Sequence, residues 1–144
     1  SFSDNQDFFN SISIVEFKKP NRNDLKDDNK NPINQVLGYV KNIKEGRAKR
    51  PNGRPFVNVS NTAFYCYVIA DLTDSMREAA ENASLMMTPD REGYFGYNQT
   101  RGAYIEVISY DKLVKDAKQR NQILFDKLFN PKVTEVLNSK LLNE

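Results

Sequence analysis

The sequence predicts a mixed α/β domain with one core. Residues 11–19 form a β-branched, alternating run that stops at Pro20, as a strand does. Residues 32–45 carry apolar side chains at helical spacing, and residues 92–110 have the pattern of two strands joined by a turn. Strands and helices that alternate along one chain are typical of this class.

The first helix is expected to begin at Pro32, whose ring suits a first turn, and to end before Gly46. Its apolar stripe consists of Ile33, Val36, Leu37, Val40 and Ile43. Residues 62–72 are almost continuously apolar and aromatic, which predicts a central strand covered on both faces.

The second helix is expected over residues 73–85, with Ser75 and Glu78 as a capping box. The two strands that follow should be joined by a turn near residues 98–102. The predicted order is therefore strand, helix, strand, helix, two strands and a last long helix.

The composition indicates one globular domain. The chain has 144 residues, of which 39% are apolar and 28% charged, enough to build a single core. No run approaches the roughly 18 apolar residues of a membrane span, and no signal peptide is visible at the start. The long helix should occupy residues 111–129, and Pro131 should separate it from a terminal helix or tail at residues 131–144.

The residue types exclude several kinds of chemistry. The chain has no histidine, which excludes Ser-His-Asp triads and the usual zinc sites. Catalysis would have to use carboxylates, lysine, tyrosine or an oxygen-ligated metal such as magnesium. The one cysteine, Cys66, excludes an internal disulfide, fits a cytoplasmic protein and is expected to be a small buried apolar residue.

Two pairs of polar residues form a candidate site. Glu16 and Lys18 stand two residues apart in the first strand, so their side chains lie on one face of it. The alternative is an ion pair or two solvated charges at a sheet edge. In the next helix, Gln35 and Tyr39 lie four residues apart on one flank, beside the apolar stripe. These two side chains can reach a neighbouring site, or they are polar groups at the margin of a packed helix.

A basic cluster follows on the second half of the same helix and the loop after it. Six basic residues and one acid, Glu45, occupy residues 41–54. The basic residues are Lys41, Lys44, Arg47, Lys49, Arg50 and Arg54. Such a cluster neutralises phosphates well, although solvation and the negative helix C-terminus also explain it.

The two motifs resemble the PD-(D/E)xK nuclease superfamily, in particular its RecB-type branch. The matching residues are Glu16 and Lys18 in "IVEFKKP" and Gln35 and Tyr39 in "NPINQVLGYVKNIKEG". The resemblance implies a restriction-endonuclease-like mixed sheet flanked by helices. The segments "FYCYVIADLT", "GYFGYN" and "YIEVISYDKLVKDAKQRN" are similar to a bacterial domain of this type fused to GHKL-type ATPases. That likeness implies an ATPase domain in the same polypeptide.

The resemblance also implies a metal-dependent phosphodiesterase that acts on DNA. By similarity, Glu16 and the backbone carbonyl of Phe17 would bind magnesium or manganese. Lys18 would hold the attacking water and offset charge on the phosphate. Gln35 would orient the water or a phosphate oxygen, with Tyr39 supporting it.

The first carboxylate of the family, an Asp on the preceding strand, lacks a clear counterpart. Only Asp4 and Asp7 lie upstream of Glu16, in a polar and irregular segment. We expect the partner Asp, with the first helix and strands of the core, to lie upstream of Ser1. The alternative is that Asp7 is the ligand. Loss of those strands would expose a sheet edge that a second copy of the chain can pair with.

Several other residues have two interpretations. Asp71 resembles the end of a nucleotide-binding strand, but the chain has no P-loop motif, so Asp71 and Asp74 are expected to help start the second helix. Glu106 could face the candidate site, and we expect it to face solvent instead. Cross-strand packing or base stacking would explain the aromatic residues Tyr94, Phe95, Tyr97 and Tyr104. The alternative to an enzyme is an inactive module of the same fold that binds nucleic acid or protein, or that regulates an attached ATPase.

Overall fold

The computed structural model describes residues 10–129 of the chain. The candidate ligand Asp7 and the predicted tail at residues 131–144 lie outside these described residues. Among these, residues 10–110 form one compact unit and residues 111–129 belong to a second.

The described residues of the first unit contain a mixed sheet of five strands, which confirms the predicted α/β class and adds one strand to the four that the sequence predicts. The strands are β1 (Ser11–Phe17), β2 (Ala63–Ile69), β3 (Met86–Met87), β4 (Gly93–Asn98) and β5 (Ala103–Ile108). The helices are α1 (Pro32–Lys44), α2 (Asp74–Asn82) and α3 (Tyr110–Phe129). The spatial order is β1-β2-β5-β4-β3, with β1, β2 and β5 parallel and β4 antiparallel to both of its neighbours. The two-residue strand β3 was not predicted, because two residues carry no periodicity.

One face of the sheet is covered by α1 and α2. The core contains alternate residues of β2 and β5, namely Phe64, Cys66, Val68, Ala103, Ile105 and Val107. The same cluster contains Ile33, Val36 and Val40 of α1 and Met76, Ala79 and Ala80 of α2. Both helices therefore pack on the same face, and burying each large aliphatic side chain contributes about 1.5–3 kcal/mol.

The opposite face is more open than the sequence predicts. The prediction that β2 is covered on both faces is wrong at Tyr65, which is 39% exposed. Tyr65 is aligned with Tyr104 of β5, and Tyr104 is aligned with Tyr97 of β4, so the three rings lie on this face. Tyrosine tolerates such a position because its ring is apolar and its hydroxyl is polar.

The two helices of this unit begin at side-chain caps. Asn31 accepts hydrogen bonds from the backbone N–H groups of Ile33 and Asn34, which explains why α1 begins at Pro32. After α1, Gly46 adopts a φ of +75°, a left-handed conformation that suits glycine, so the prediction for this helix is confirmed.

The predicted capping box of α2 is wrong. Thr73 is the cap, and its hydroxyl accepts a hydrogen bond from the backbone N–H of Met76 at 3.4 Å. The hydroxyl of Ser75 instead accepts a hydrogen bond from the backbone N–H of Leu25 at 3.0 Å. Sequence reasoning missed this because Leu25 is fifty residues away in the chain.

Candidate functional site

Glu16 and Lys18 form an ion pair at the carboxyl end of β1. Glu16 is aligned with the buried Val68, so its side chain lies on the helix-covered face. The ammonium of Lys18 is 3.4 Å from a carboxylate oxygen of Glu16, and their side chains are only 11% and 22% exposed. The prediction that they share one face is confirmed. The structure also shows the ion pair that the alternative names, since β1 is an edge strand of the described sheet. Two solvated charges do not fit these exposures, because such charges stay in water.

The backbone N–H and carbonyl of Phe17, next to this pair, do not bond to β2. Lys18 donates its N–H to the carbonyl of Ile69, and Asn10 accepts from Ala63. Even-numbered residues of β1 thus bond to β2, so the N–H and carbonyl of Phe17 point the other way. No strand of the described residues pairs with that edge. The Phe17 carbonyl therefore lies at an open edge beside Glu16.

The loop that follows β1 is fastened to the loop before α2. Asn21 donates its backbone N–H to the carboxylate of Asp71 at 2.6 Å. Leu25 donates to Ser75, and the backbone N–H of Ser75 donates to the side chain of Asn23 at 2.9 Å. Asp71 therefore anchors this loop, whereas the sequence predicted that it helps to start α2.

Asp24 in the same loop is held as a carboxylate. A hydrogen bond from Arg22 and a second from Lys30 lower the pKa of Asp24 to about 2. The Arg22 guanidinium contacts it at 2.7 Å and the Lys30 ammonium at 3.2 Å. These bonds keep Asp24 ionised, so it cannot act as a general acid at neutral pH.

Gln35 and Tyr39 lie on the flank of α1 that faces away from the β4–β5 turn. On the opposite flank, Asn34 and Gly38 line a hollow together with Arg101 of that turn. Because residues four apart share a flank of a helix, Gln35 and Tyr39 lie together on the β1 side. Among the described residues, no hydrogen bond joins either side chain to Glu16 or Lys18, so their reaching this pair stays a prediction.

The two side chains differ in their surroundings. The amide nitrogen of Gln35 donates to the carbonyl of Asn29 at 3.3 Å. Its amide oxygen is buried and has no hydrogen-bond partner among the described residues. Such an acceptor is costly unless water or a ligand satisfies it. Tyr39 is 48% exposed, so it lies at the rim of any site there.

The basic cluster lies at the other end of the sheet. Since β1 and β2 are parallel, α1 runs back from the carboxyl end of β1 to the amino end of β2. The ammonium of Lys44 accordingly lies over the ring of Phe64, 5.3 Å from its centroid. Phe64 is four residues before Val68, the partner of Glu16, which corresponds to about 13 Å along the strand. The structure does not bring the cluster to the Glu16–Lys18 pair.

Two further residues, Glu106 and Cys66, do not belong to the site around Glu16 and Lys18. Glu106 is aligned with Tyr67, on the sheet face opposite Glu16, and it accepts a hydrogen bond from Tyr104 at 3.2 Å. Burial, and then the nearby Glu106 carboxylate, raise the pKa of Tyr104. Cys66 is fully buried, as expected, and burial raises the pKa of its thiol to about 11, so it is not a nucleophile.

A metal ion needs more ligands than the described residues provide. Within residues 10–129, no group of three Asp, Glu, Cys or His side chains is placed to hold one. Glu16 contributes a carboxylate and Phe17 a free carbonyl, and the ammonium of Lys18 already contacts the carboxylate. These groups alone do not make the oxygen shell that magnesium prefers.

No protein-family model, curated protein or solved structure matches this chain. Among residues 10–129, no helix has the length and apolar character needed to cross a membrane.

Proposed function

We propose that residues 10–110 form a restriction-endonuclease-like domain that hydrolyses DNA phosphodiesters with magnesium or manganese. The observation that carries the proposal is the Glu16–Lys18 ion pair, which is largely buried on the helix-covered face of β1. A carboxylate and an ammonium that share one sheltered site are the charges that phosphoryl transfer uses.

The surroundings of the pair support the same proposal. A strand that carries the acid and the lysine, a helix that carries Gln35, and a parallel strand follow one another in the chain. The amide oxygen of Gln35 has hydrogen-bonding capacity to spare among the described residues, as a water-orienting group requires. The carbonyl of Phe17 is directed to the open edge of β1, where a ligand can reach it.

Each of the four side chains has one role in the proposed hydrolysis. The ammonium of Lys18 offsets the charge of a bound phosphate and holds the attacking water. Glu16 positions that ammonium and offers its other oxygen to a divalent cation. Gln35 orients the water, and Tyr39 lies at the rim. A bound cation would supply Lewis acidity. The described residues do not complete its shell, so a second acid, Asp7 or one upstream of Ser1, is part of the proposal.

The second candidate is a catalytically inactive module of the same fold. The observation that favours it is that no three Asp, Glu, Cys or His side chains among the described residues are placed together to hold a metal ion. Such a module would bind nucleic acid or protein, or would regulate an ATPase domain in the same polypeptide. The open edge of β1 also suits pairing with a second copy of the chain.

Metal titration and DNA cleavage separate the two candidates. Isothermal titration with magnesium and with manganese should show binding that Glu16→Gln abolishes. Cleavage of labelled DNA should require the metal and should fall at least about a hundredfold in Lys18→Met.

The matched control is the ion pair between Glu78 and Lys26, whose charged atoms are 3.6 Å apart and whose side chains are 52% and 56% exposed. Glu78→Gln and Lys26→Met should leave metal binding and cleavage unchanged. If the chain neither binds metal nor cleaves DNA, Asp7 is rejected as the second acid and this chain does not hydrolyse DNA by itself. DNA binding without cleavage then supports the inactive module.

A further inference from the structure

A cavity lies at the amino end of β2, remote from the Glu16–Lys18 pair. Its volume is about 420 Å³, within the range of small-molecule sites. It is lined by Tyr65, Tyr97 and Tyr104, by Lys44 and Gly102, and by residues 60–64. Aromatic surface and a positive charge thus meet in one hollow.

The three tyrosines form a row across three neighbouring strands. Tyr104 of β5 is aligned with Tyr65 on one side and with Tyr97 on the other. The rings of Tyr65 and Tyr104 meet edge to face, with centroids 6.1 Å apart and an interplanar angle of 60°. Tyr97 is 63% exposed and Tyr65 39%. Structural packing explains the half-buried Tyr104, but it does not explain the exposed ring of Tyr97.

Lys44 brings a cation to the same hollow. Its ammonium lies over the ring of Phe64 and donates a hydrogen bond to the carbonyl of Arg101. A Cβ placed on Gly102 would lie 2.8 Å from this ammonium and 3.7 Å from the hydroxyl of Tyr97, so the two groups converge there. An ammonium has three donors, and the carbonyl uses one of them.

The cation that lines the cavity, Lys44, favours an anionic ligand. Lys44 belongs to the basic cluster of residues 41–54, with its six basic residues and one acid. A neutral or cationic ligand would gain nothing from this cluster, whereas each phosphate bound there releases counterions. Exposed rings beside cations are the usual combination in proteins that bind single strands.

We propose that this cavity binds one nucleotide of a single-stranded nucleic acid. The base stacks on Tyr97, with Tyr65 forming the wall of the hollow, and the adjoining phosphate contacts Lys44. A duplex does not fit this chemistry, because its bases are already stacked on one another and their faces are hidden.

This binding site does not depend on the proposed hydrolysis. It lies about 13 Å along the sheet from the level of Glu16, and it needs no metal. An inactive chain could still bind a single strand here, and an active nuclease could lack the site. The test is therefore carried out in EDTA, where cleavage does not occur.

The test measures binding of labelled oligo(dT) and oligo(U) of about 12 nucleotides, and of a duplex of equal length, by fluorescence anisotropy. We expect both single strands to bind more tightly than the duplex. Tyr97→Ala should weaken single-strand binding about tenfold, while Tyr97→Phe, which keeps the ring, should stay within about threefold. Lys44→Gln should lower the slope of log K against log salt by roughly 0.7.

Matched controls exclude general effects on the surface. Met86→Ala removes a side chain that is 65% exposed, close to the 63% of Tyr97, and should leave affinity unchanged. Lys26→Gln removes one charge outside the basic cluster and should leave the salt slope unchanged. Circular dichroism verifies that each variant is folded. If the duplex binds as tightly as the single strands, if neither single strand binds, or if Tyr97→Ala behaves like Met86→Ala, the proposal is overturned.

Discussion

At the scale of single residues, alternation along β1 was enough to place Glu16 and Lys18 on one face. It was not enough to establish that both are largely buried, because a strand pattern does not reveal what covers the face. The aromatic residues illustrate the same point. Tyr94 is buried and packs in the core, whereas Tyr97, three residues later, is 63% exposed. Both residues are tyrosines, so the residue type alone does not distinguish the buried ring from the exposed one.

The burial of the ion pair predicts an unequal effect of two lysine substitutions. Lys18→Met leaves the Glu16 carboxylate sheltered and without its cation, so the free energy of unfolding should fall by about 1–3 kcal/mol. Lys26→Met, at an exposed pair, should change it by less than about 0.5 kcal/mol. Urea unfolding measures both values. Equal losses in the two variants would show that the Glu16–Lys18 pair is solvated.

At the scale of elements, the strongly periodic segments were predicted well. The bounds of α1 and the β4–β5 hairpin follow from Pro32, Gly46 and the turn at residues 98–102. The cap of α2 was missed, since the role of Ser75 depends on the distant Leu25. Local signals thus located the elements, and long-range hydrogen bonds decided how their ends are held.

Two glycines should respond in opposite ways to alanine. Gly38 lies within α1, and a Cβ there meets nothing within 4 Å, so Gly38→Ala should raise the free energy of unfolding by about 0.5–1 kcal/mol. At Gly93 of β4, a Cβ would lie 2.5 Å from the carbonyl oxygen of Val107, and Gly93→Ala should lower it by about 1–3 kcal/mol. Urea unfolding midpoints that shift in the same direction would contradict this.

At the scale of the first unit, the sheet separates two chemistries. The acid–lysine pair lies at the carboxyl end of β1, and the basic cluster and the three tyrosines lie at the amino ends of β2 and β5. In the sequence, Gln35 and Tyr39 are followed directly by the basic cluster, which favours a single site for both. Because α1 runs antiparallel to β1 and β2, its first turn lies at the carboxyl ends of these strands and its last turn at their amino ends.

The two ends should therefore act independently. Glu16→Gln should leave the affinity for oligo(dT) in EDTA within about twofold of the unsubstituted chain. The losses in unfolding free energy of Glu16→Gln and Tyr97→Ala should add in the double variant to within about 0.5 kcal/mol, because sites this far apart rarely couple. A larger interaction energy in urea unfolding would mean that the two ends form one cooperative site.

The sequence by itself determined the α/β class, the bounds of α1, the two-strand turn and the shared face of Glu16 and Lys18. These depend on periodicity and on turn residues, which are local. Only the tertiary structure decided that the basic cluster is remote from that pair, that Glu106 lies on the other face, and that Tyr65, Tyr97 and Tyr104 form a row. Those facts depend on strand order and register, which join residues distant in the chain.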